Sequence, residues 1–152
     1  MNDAASLAEH VEILCTNYLR LTGHELIASG TAPVDTVRRL AAAPFAVVSH
    51  GIQDDPIFNY GNNIALELFE MTWYEFTLLP SRLSAEIINQ FERARLLGQV
   101  SKQGHIDNYS GIRISKSSRR FMIKDATVWN LIGSDGKYYG QAALIRSWDK
   151  LP

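Results

Sequence analysis

Apolar and polar positions follow a helical period at the beginning of the chain. Leu7, Val11, Leu14, Cys15 and Tyr18 recur on one side of a predicted helix whose other side is polar. An isolated helix of this length is marginal in water and needs a surface to pack on. The stripe therefore covers the chain's own sheet or pairs with the same helix of a second chain. We expect the second arrangement, a homodimer.

Two strands and then several helices are predicted after this first part. The apolar run 44–49 is typical of a buried strand, and residues 57–60 form the next one. Asn62 is placed to cap an amphipathic helix, and Thr72 begins a second, short helix through a capping-box pattern. Residues 84–100 predict a third helix with Ile87, Ile88, Phe91, Ala94 and Val100 on its apolar side and Glu92, Arg93 and Arg95 outside.

The period changes from helical to alternating in the last third of the chain. Strands are predicted at residues 109–114, 121–131 and 139–145. Asp135-Gly136, before the last strand, is among the strongest hairpin signals. Strict alternation places one set of side chains on the same face of the long strand: Phe121, Ile123, Thr127, Trp129 and Leu131.

The order of these elements predicts the α+β class, with a five-stranded antiparallel sheet and helices on one face. Residues 1–42 form an N-terminal helical flank and residues 43–152 form the core. A length of 152 residues agrees with one domain overall.

Composition narrows the function classes. A chain with 46% hydrophobic and 20% charged residues is ordinary for a globular protein, and a net charge of −1 provides no global field for nucleic acid or membrane. The single cysteine cannot form an internal disulfide, and the four histidines lack zinc-site spacing. Because there is neither a signal-peptide pattern nor an apolar run of about 18 residues, we expect a cytoplasmic protein.

Motifs of common enzymes are absent from the sequence. It contains no Gly-x-Ser-x-Gly, no P-loop and no His-Glu-x-x-His. Asp54 and Asp55, beside Pro56, are typical of a solvated turn. Basic residues cluster between positions 113 and 124, but no aromatic stacking set accompanies them, so we interpret them as a solvated hairpin and expect no nucleic-acid partner.

Several short blocks of the sequence occur together in one known family. They are Phe58–Asn62, Ala65–Trp73, Pro80–Glu86, Tyr109–Ser115, Thr127–Leu131 and Tyr138–Ala143. Over most of residues 10–148 these blocks resemble the MEKHLA domain, a family related to PAS sensory domains, in its free-standing bacterial form. The resemblance implies a PAS-like sheet with helices against one face, and an interior that holds a ligand or is filled core. The family defines no catalytic residues, so none is assigned here.

The resemblance also bears on cofactors. Flavin photosensors of the PAS fold carry a reactive cysteine in the short helices after the second strand, where this chain has none, and Cys15 lies far upstream. Haem-binding members take an axial ligand from the helix before the last three strands. Residues 84–100 contain no histidine, and His105 lies just beyond them. We therefore expect no haem, no covalent flavin and no metal.

Four residues are candidates for a ligand site. Tyr109 and Trp129 lie on strands that are expected to face the helices, where an aromatic ring is core or the wall of a pocket. His50 ends the first strand and either lines a pocket mouth or belongs to a turn. Arg113 interrupts an apolar stretch and is expected on the solvent face. A bulge at Gly111 would instead turn Arg113 inward, as an anchor for a carboxylate.

These inferences predict a PAS-like sensory or ligand-binding module without enzymatic activity. It would act through a homodimer or an unidentified protein partner, and the sequence does not name its small-molecule ligand. The alternative is a small enzyme that uses the pocket between sheet and helices. Titratable groups with perturbed pKa values in that pocket would favour the enzyme, whereas a dry, filled interior would favour a pure interaction domain.

Overall fold

An antiparallel sheet forms the centre of the computed structural model, which describes residues 4–28 and 30–152. Five strands lie in the order β2-β1-β5-β4-β3, and the short β6 pairs with the first part of β4. Their bounds are β1 Ala46–His50, β2 Phe58–Gly61, β3 His105–Ile114, β4 Arg120–Ile132, β5 Tyr138–Ile145 and β6 Ser147–Lys150. The predicted antiparallel α+β fold is confirmed, with one strand more than expected. Since only Arg146 separates β5 from β6, these two strands continue each other along the same edge of β4.

Helices cover both faces of this sheet. Their bounds are α1 Ala4–Thr22, α2 Pro33–Ala41, α3 Asn63–Phe69, α4 Trp73–Phe76 and α5 Ile87–Gln103, with a 3₁₀ helix at Ser81–Ser84. Ala46 and Val48 of β1 pack in the cluster that contains Phe69 and Phe76 of α3 and α4, whereas Val47 packs with residues of α1. Successive side chains of a strand point to opposite faces. The core helices α3, α4 and α5 share one face, as predicted, and the N-terminal helix α1 covers the other face.

The apolar stripe of α1 lies on the chain's own sheet. Leu14 is fully buried, and the ring of Tyr18 packs edge-on against Trp129 with centroids 4.9 Å apart. Asn17 fixes the helix to the end of β4, since its side chain donates to the Ile132 carbonyl at 2.9 Å and accepts from the Ile132 amide at 3.1 Å. Val11, Leu14 and Tyr18 are buried and Leu7 and Cys15 are partly buried, so the stripe covers the chain's own sheet, which is one of the two predicted arrangements; the homodimer stays a prediction.

A bulge in β4 changes which side chains share a face. Tyr109 pairs with Ala126 but Gly111 pairs with Ile123, so β4 carries one extra residue between these pairs, where Asp125 has a φ of 50°. Phe121 and Ile123 therefore pack on the α3 side, as part of the same cluster as Phe69. Trp129 and Leu131 pack on the α1 side. Strict alternation, which placed all four on one face, is wrong.

The predicted helix caps are confirmed. The side-chain oxygen of Asn62 accepts from the amide of Ala65 at 3.2 Å, and Thr72 forms a reciprocal capping box with Glu75. None of the helices in the described part of the chain is both long and apolar enough to cross a membrane.

Candidate ligand-binding cleft

A cleft of about 370 Å³ opens where the ends of β1 and β5 meet α5. His50 and Gln141 lie side by side in it because they are register partners on the two strands. The 3₁₀ helix contributes Ser81, and α5 contributes Arg93. A smaller pocket of about 50 Å³ between α5 and the sheet shares three of these residues, His50, Arg93 and Gln141, and has room for only a few water molecules.

His50 is the centre of a buried hydrogen-bond network. Its Nδ1 lies 2.7 Å from the Ser81 hydroxyl, and its Nε2 lies 3.3 Å from the amide oxygen of Gln141. The Gln141 Nε2 donates to the Leu97 carbonyl at 3.2 Å, which fixes the orientation of that amide because a carbonyl can only accept. His50 Nε2 therefore carries the proton, and Nδ1 accepts from Ser81.

Burial keeps His50 uncharged. Burial, together with the nearby positive charge of Arg93, lowers the pKa of the imidazole to about 4. The neutral ring can therefore accept a hydrogen bond and donate one at physiological pH, but it adds no charge to the cleft.

Arg93 points from α5 toward the sheet, contrary to the expectation that it lies outside. It lines both the cleft and the smaller pocket, and it forms no hydrogen bond or ion pair with any residue that the structure describes. Burial, with the neighbouring charge of Arg113, lowers the pKa of its guanidinium to about 10, so the group stays charged. Arg82, at the mouth of the cleft, is by contrast paired with Asp55 at 3.1 Å.

The predicted apolar side of α5 is wrong in the first half of the helix, whereas Val100 is buried as predicted. Leu96 and Val100 are buried, whereas Ile87 and Phe91 are exposed to solvent by 87% and 82%. The spacing of three and seven residues from Arg93 to Leu96 and Val100 was a signal that Arg93 shares their inward face.

Ser81 and His50 resemble the nucleophile and base of a hydrolase only in part. The pair lacks the carboxylate that would stabilise a protonated histidine, because neutral Gln141 occupies that position. Ser81 is also only 1% exposed, so its hydroxyl is not presented to a substrate. The arrangement can recognise polar groups of a ligand, but it does not favour covalent catalysis.

Tyr109 and Arg113 form a second network beside the cleft. The Tyr109 hydroxyl donates to Glu92 at 2.7 Å, and Arg113 donates to the Tyr109 oxygen at 3.1 Å and to the Ile112 carbonyl at 2.9 Å. Arg113 is buried, so its expected place on the solvent face is wrong. The inward alternative is the observed one, and a register shift between Tyr109 and Gly111 accompanies it.

Trp129 lies away from the cleft, on the face covered by α1. Of the two predicted alternatives, core or pocket wall, the buried ring takes the first, and it faces α1 because the bulge at Asp125 reverses the alternation along β4. The ring is fully buried, and its Nε1 has no hydrogen-bond partner among the described residues. Trp129 is therefore a core residue of the α1 side.

A second buried histidine lies across the sheet from the cleft. His10 of α1 contacts the Ser49 hydroxyl through Nε2 and the Tyr139 hydroxyl through Nδ1, both at 2.9 Å. Burial lowers its pKa to about 4. Ser49 precedes His50 on β1, so their side chains point to opposite faces of the sheet. Ser49 belongs to the network of His10, and His50 belongs to the network in the cleft. The sequence pattern gave no sign of this contact, since His10 lies on the polar side of the predicted helix.

The basic residues of the β3–β4 hairpin are matched by carboxylates. Their partners come from α3, α4, β6 and the segment before α5: Lys116 pairs with Glu75, Arg119 with Glu70 at 3.8 Å, Arg120 with Glu86 at 3.7 Å and Lys124 with Asp149 at 2.5 Å. This surface therefore has little net charge. Across residues 4–28 and 30–152, no group of three or more histidine, cysteine, aspartate or glutamate side chains is placed to hold a metal ion.

Solved structures with the same fold are PAS and light-oxygen-voltage domains. A PAS domain of a protein from Colwellia psychrerythraea has a TM-score of 0.62 at 14% identity, covering 74% of this chain and 93% of that one. A light-oxygen-voltage domain studied with a flavin analogue has a TM-score of 0.59 at 14% identity, covering 78% and 85%. The light-state dimer of the fungal photoreceptor Vivid gives 0.59 at 10% identity, covering 89% and 93%. At these identities the likeness concerns the fold alone.

The sequence itself identifies the family. Among curated proteins none matches the chain. The family profile of the MEKHLA domain, however, matches residues 8–150, which include the whole sheet and the described helices except the first residues of α1. The chain belongs to the MEKHLA domain family.

Proposed function

We propose that this chain is a sensory module that binds a small molecule in the cleft around His50 and transmits its presence through α5. The proposal rests on one observation, namely that one side of α5 faces the cleft while another side is exposed to solvent. Arg93 and Leu97 line the cleft on its inner side, whereas Ile87 and Phe91 form an exposed apolar face on its outer side. A ligand that moves α5 would therefore change the surface available to a partner. The PAS-type fold, common to sensory domains, supports this role over an enzymatic one.

The partner in this proposal is a second copy of the chain. The exposed residues of α5 are large in its first half, Ile87 and Phe91, and small in its second half, Ala94 and Gly98, which also border the cleft. A methyl group added at Gly98 would meet nothing within 4 Å, so there is open space above it. Two antiparallel copies of α5 would place the large residues of each chain over the small residues of the other. Exposed apolar patches of this kind mark interaction sites in soluble proteins.

Native mass spectrometry of freshly purified protein tests both parts of the proposal, since it reports bound ligand and oligomeric state together. We expect a dimer with additional mass from a co-purified molecule. Phe91→Asp should give a monomer, whereas Val34→Asp, at an exposed apolar position on α2, should leave the dimer intact. A wild-type chain that is monomeric at high micromolar concentration would contradict the dimer.

A pure interaction domain is the second candidate. The small volume of the smaller pocket, about 50 Å³, favours it because little space is left between α5 and the sheet. In that case the dimer forms without any co-purified mass, and Phe91→Asp still dissociates it.

A further inference from the structure

We infer that the ligand of the cleft is a small organic anion and that Arg93 binds its carboxylate or phosphate group. The inference rests on the proposed ligand-binding function and adds the chemical class of the ligand. It follows from three features of the cleft: an unpaired cation, the absence of acidic groups in the lining, and a limited volume.

The unpaired cation is Arg93. A guanidinium has five N–H donors and is the side chain best suited to bind an oxyanion with two parallel hydrogen bonds. Removing it from water without a partner is unfavourable, so buried arginines are normally paired. Arg93 is held against the sheet at the positions of Val128 and Gln141, and none of the described residues supplies an acceptor for it. An anion in the cleft would supply that acceptor.

Most of the charges around Arg93 favour an anion; the charge of Glu92 acts in the opposite direction, but Glu92 does not line the cleft. The cleft is lined by Arg93 and Arg82 and by no carboxylate, and Asp55 already pairs with Arg82. Arg113 lies close enough to Arg93 for mutual repulsion, and its own donors go to a carbonyl and a phenol rather than to an acid. The nearest acidic group on α5, Glu92, accepts from the Tyr109 hydroxyl.

The volume and the remaining lining describe the rest of the ligand. At about 370 Å³ the cleft is near the lower limit of small-molecule sites, so it fits a metabolite-sized molecule. Gln141 and Ser101 provide polar contacts on one side, whereas Ile52 and Leu97 are apolar. An anion with a short carbon skeleton would satisfy both kinds of surface.

Thermal unfolding in the presence of sodium acetate, disodium succinate or sodium phosphate tests this inference, with sodium chloride at equal ionic strength as the reference. Specific binding to the folded state raises Tm in a saturable way. We expect such a shift with at least one of the three anions. A response to acetate or succinate alone identifies a carboxylate ligand, and a response to phosphate alone identifies a phosphate ligand.

Variants of α5 assign the effect to Arg93. Arg93→Gln should weaken the apparent affinity about tenfold or more, because it removes charge-assisted hydrogen bonds. Arg95→Gln removes an exposed charge two residues away and should leave the affinity unchanged. Arg93→Met retains the apolar stem, so it keeps the test valid if the glutamine variant does not fold.

Two results would overturn the inference. One is the lack of a saturable shift with any of the three anions, and the other is an equal shift in wild type and in both Arg93 variants. A neutral co-purified molecule that remains bound to Arg93→Gln would refute the anion while leaving the proposed sensory function intact. Loss of the dimer and of all bound mass would instead refute the proposed function itself.

Discussion

Arg113 lies over the ring of Tyr109, with its guanidinium carbon 5.6 Å from the ring centroid. The same guanidinium donates to the phenol oxygen at 3.1 Å, so the two residues form both a cation–π contact and a hydrogen bond. They are four residues apart on one face of β3, and Gly111 lies between them. The missing side chain at Gly111 leaves the space that both of the larger side chains use.

Gly111→Ala is expected to destabilise the fold. A Cβ atom there would lie 2.2 Å from the Tyr109 oxygen and 3.0 Å from the Arg113 Nη1. Tyr109 would have to move and would lose its hydrogen bonds to Glu92 and Arg113. Overpacking of this kind costs about 1–3 kcal/mol in the free energy of unfolding, which urea denaturation measures. Ser110→Ala, at the neighbouring exposed position, should change it by less than about 0.5 kcal/mol. Equal stability of the two variants would contradict the prediction.

Asn62→Ala should be more damaging, because one buried side chain joins three elements. Its oxygen accepts from the amides of Val47 at 3.0 Å and Ala65 at 3.2 Å, and its nitrogen donates to the carbonyls of Leu40 at 3.0 Å and Phe45 at 2.8 Å. Alanine leaves these buried groups unsatisfied, so we expect a loss of at least about 3 kcal/mol in the free energy of unfolding.

Asn63→Ala is the matched control for this loss. Asn63 is exposed and follows Asn62 directly, so its replacement should have an effect within about 0.5 kcal/mol. Chemical denaturation of the two variants under identical conditions measures the difference. A loss below 1 kcal/mol for Asn62→Ala would show that the surrounding backbone finds other partners.

The sequence predicted those features that local chemistry determines. The cap at Asn62 and the turn at Asp135-Gly136 depend on residues next to each other in the chain, and alternation located β4 and β5. The bulge at Asp125 leaves no periodic signal in the sequence. The surrounding sheet, and not the local sequence, holds this aspartate at a positive φ. That single extra residue placed Trp129 on the wrong face in the prediction.

The cleft was harder to predict than the fold because tertiary contacts select its residues. On α5 the exposed residues Ile87 and Phe91 dominate the apolar pattern. The pattern therefore placed Arg93 on the outer side of the helix, although it points inward. Gln141 carries no sequence signal that marks a site, and its place beside His50 follows from the register of β1 and β5. The inward position of Arg113 was predicted only by the alternative in which a bulge at Gly111 turns this side chain inward.

Stability should fall between pH 6.5 and pH 4 because His10 and His50 are buried as neutral rings. Their pKa values are lowered from 6.5 to about 4 in the folded state. Below pH 6.5 the unfolded chain therefore binds protons that the folded chain does not, and each histidine removes about 3 kcal/mol by pH 4. Above pH 6.5 both states are neutral at these positions, and these residues contribute no pH dependence.

Urea denaturation at intervals from pH 7.5 to pH 4 measures this effect. His50→Gln should reduce the slope of stability against pH in this window by about half, because only His10 then remains. Hydrogen bonds from Ser115 and Lys116 lower the pKa values of Glu70 and Glu75, respectively, to about 2. Titration of these two carboxylates therefore reduces stability between pH 4.5 and pH 2, mostly below the range in which the histidines titrate. An unchanged slope in His50→Gln would mean that this histidine is protonated in the folded protein.

Replacement of Leu14 separates the two arrangements that the α1 stripe left open in the sequence. In the structure Leu14 is fully buried between α1 and the sheet, in the same cluster as Trp129 and Leu131. Leu14→Ala should therefore lower the free energy of unfolding by about 2–5 kcal/mol, the usual loss for a buried leucine. Leu19→Ala, on the exposed side of α1, should lower it by less than about 1 kcal/mol.

Because the stripe lies within one chain, neither variant should change the oligomeric state measured by light scattering. If Leu14→Ala keeps its stability but dissociates a dimer, the stripe is an intermolecular surface after all, and the interface proposed on α5 is wrong.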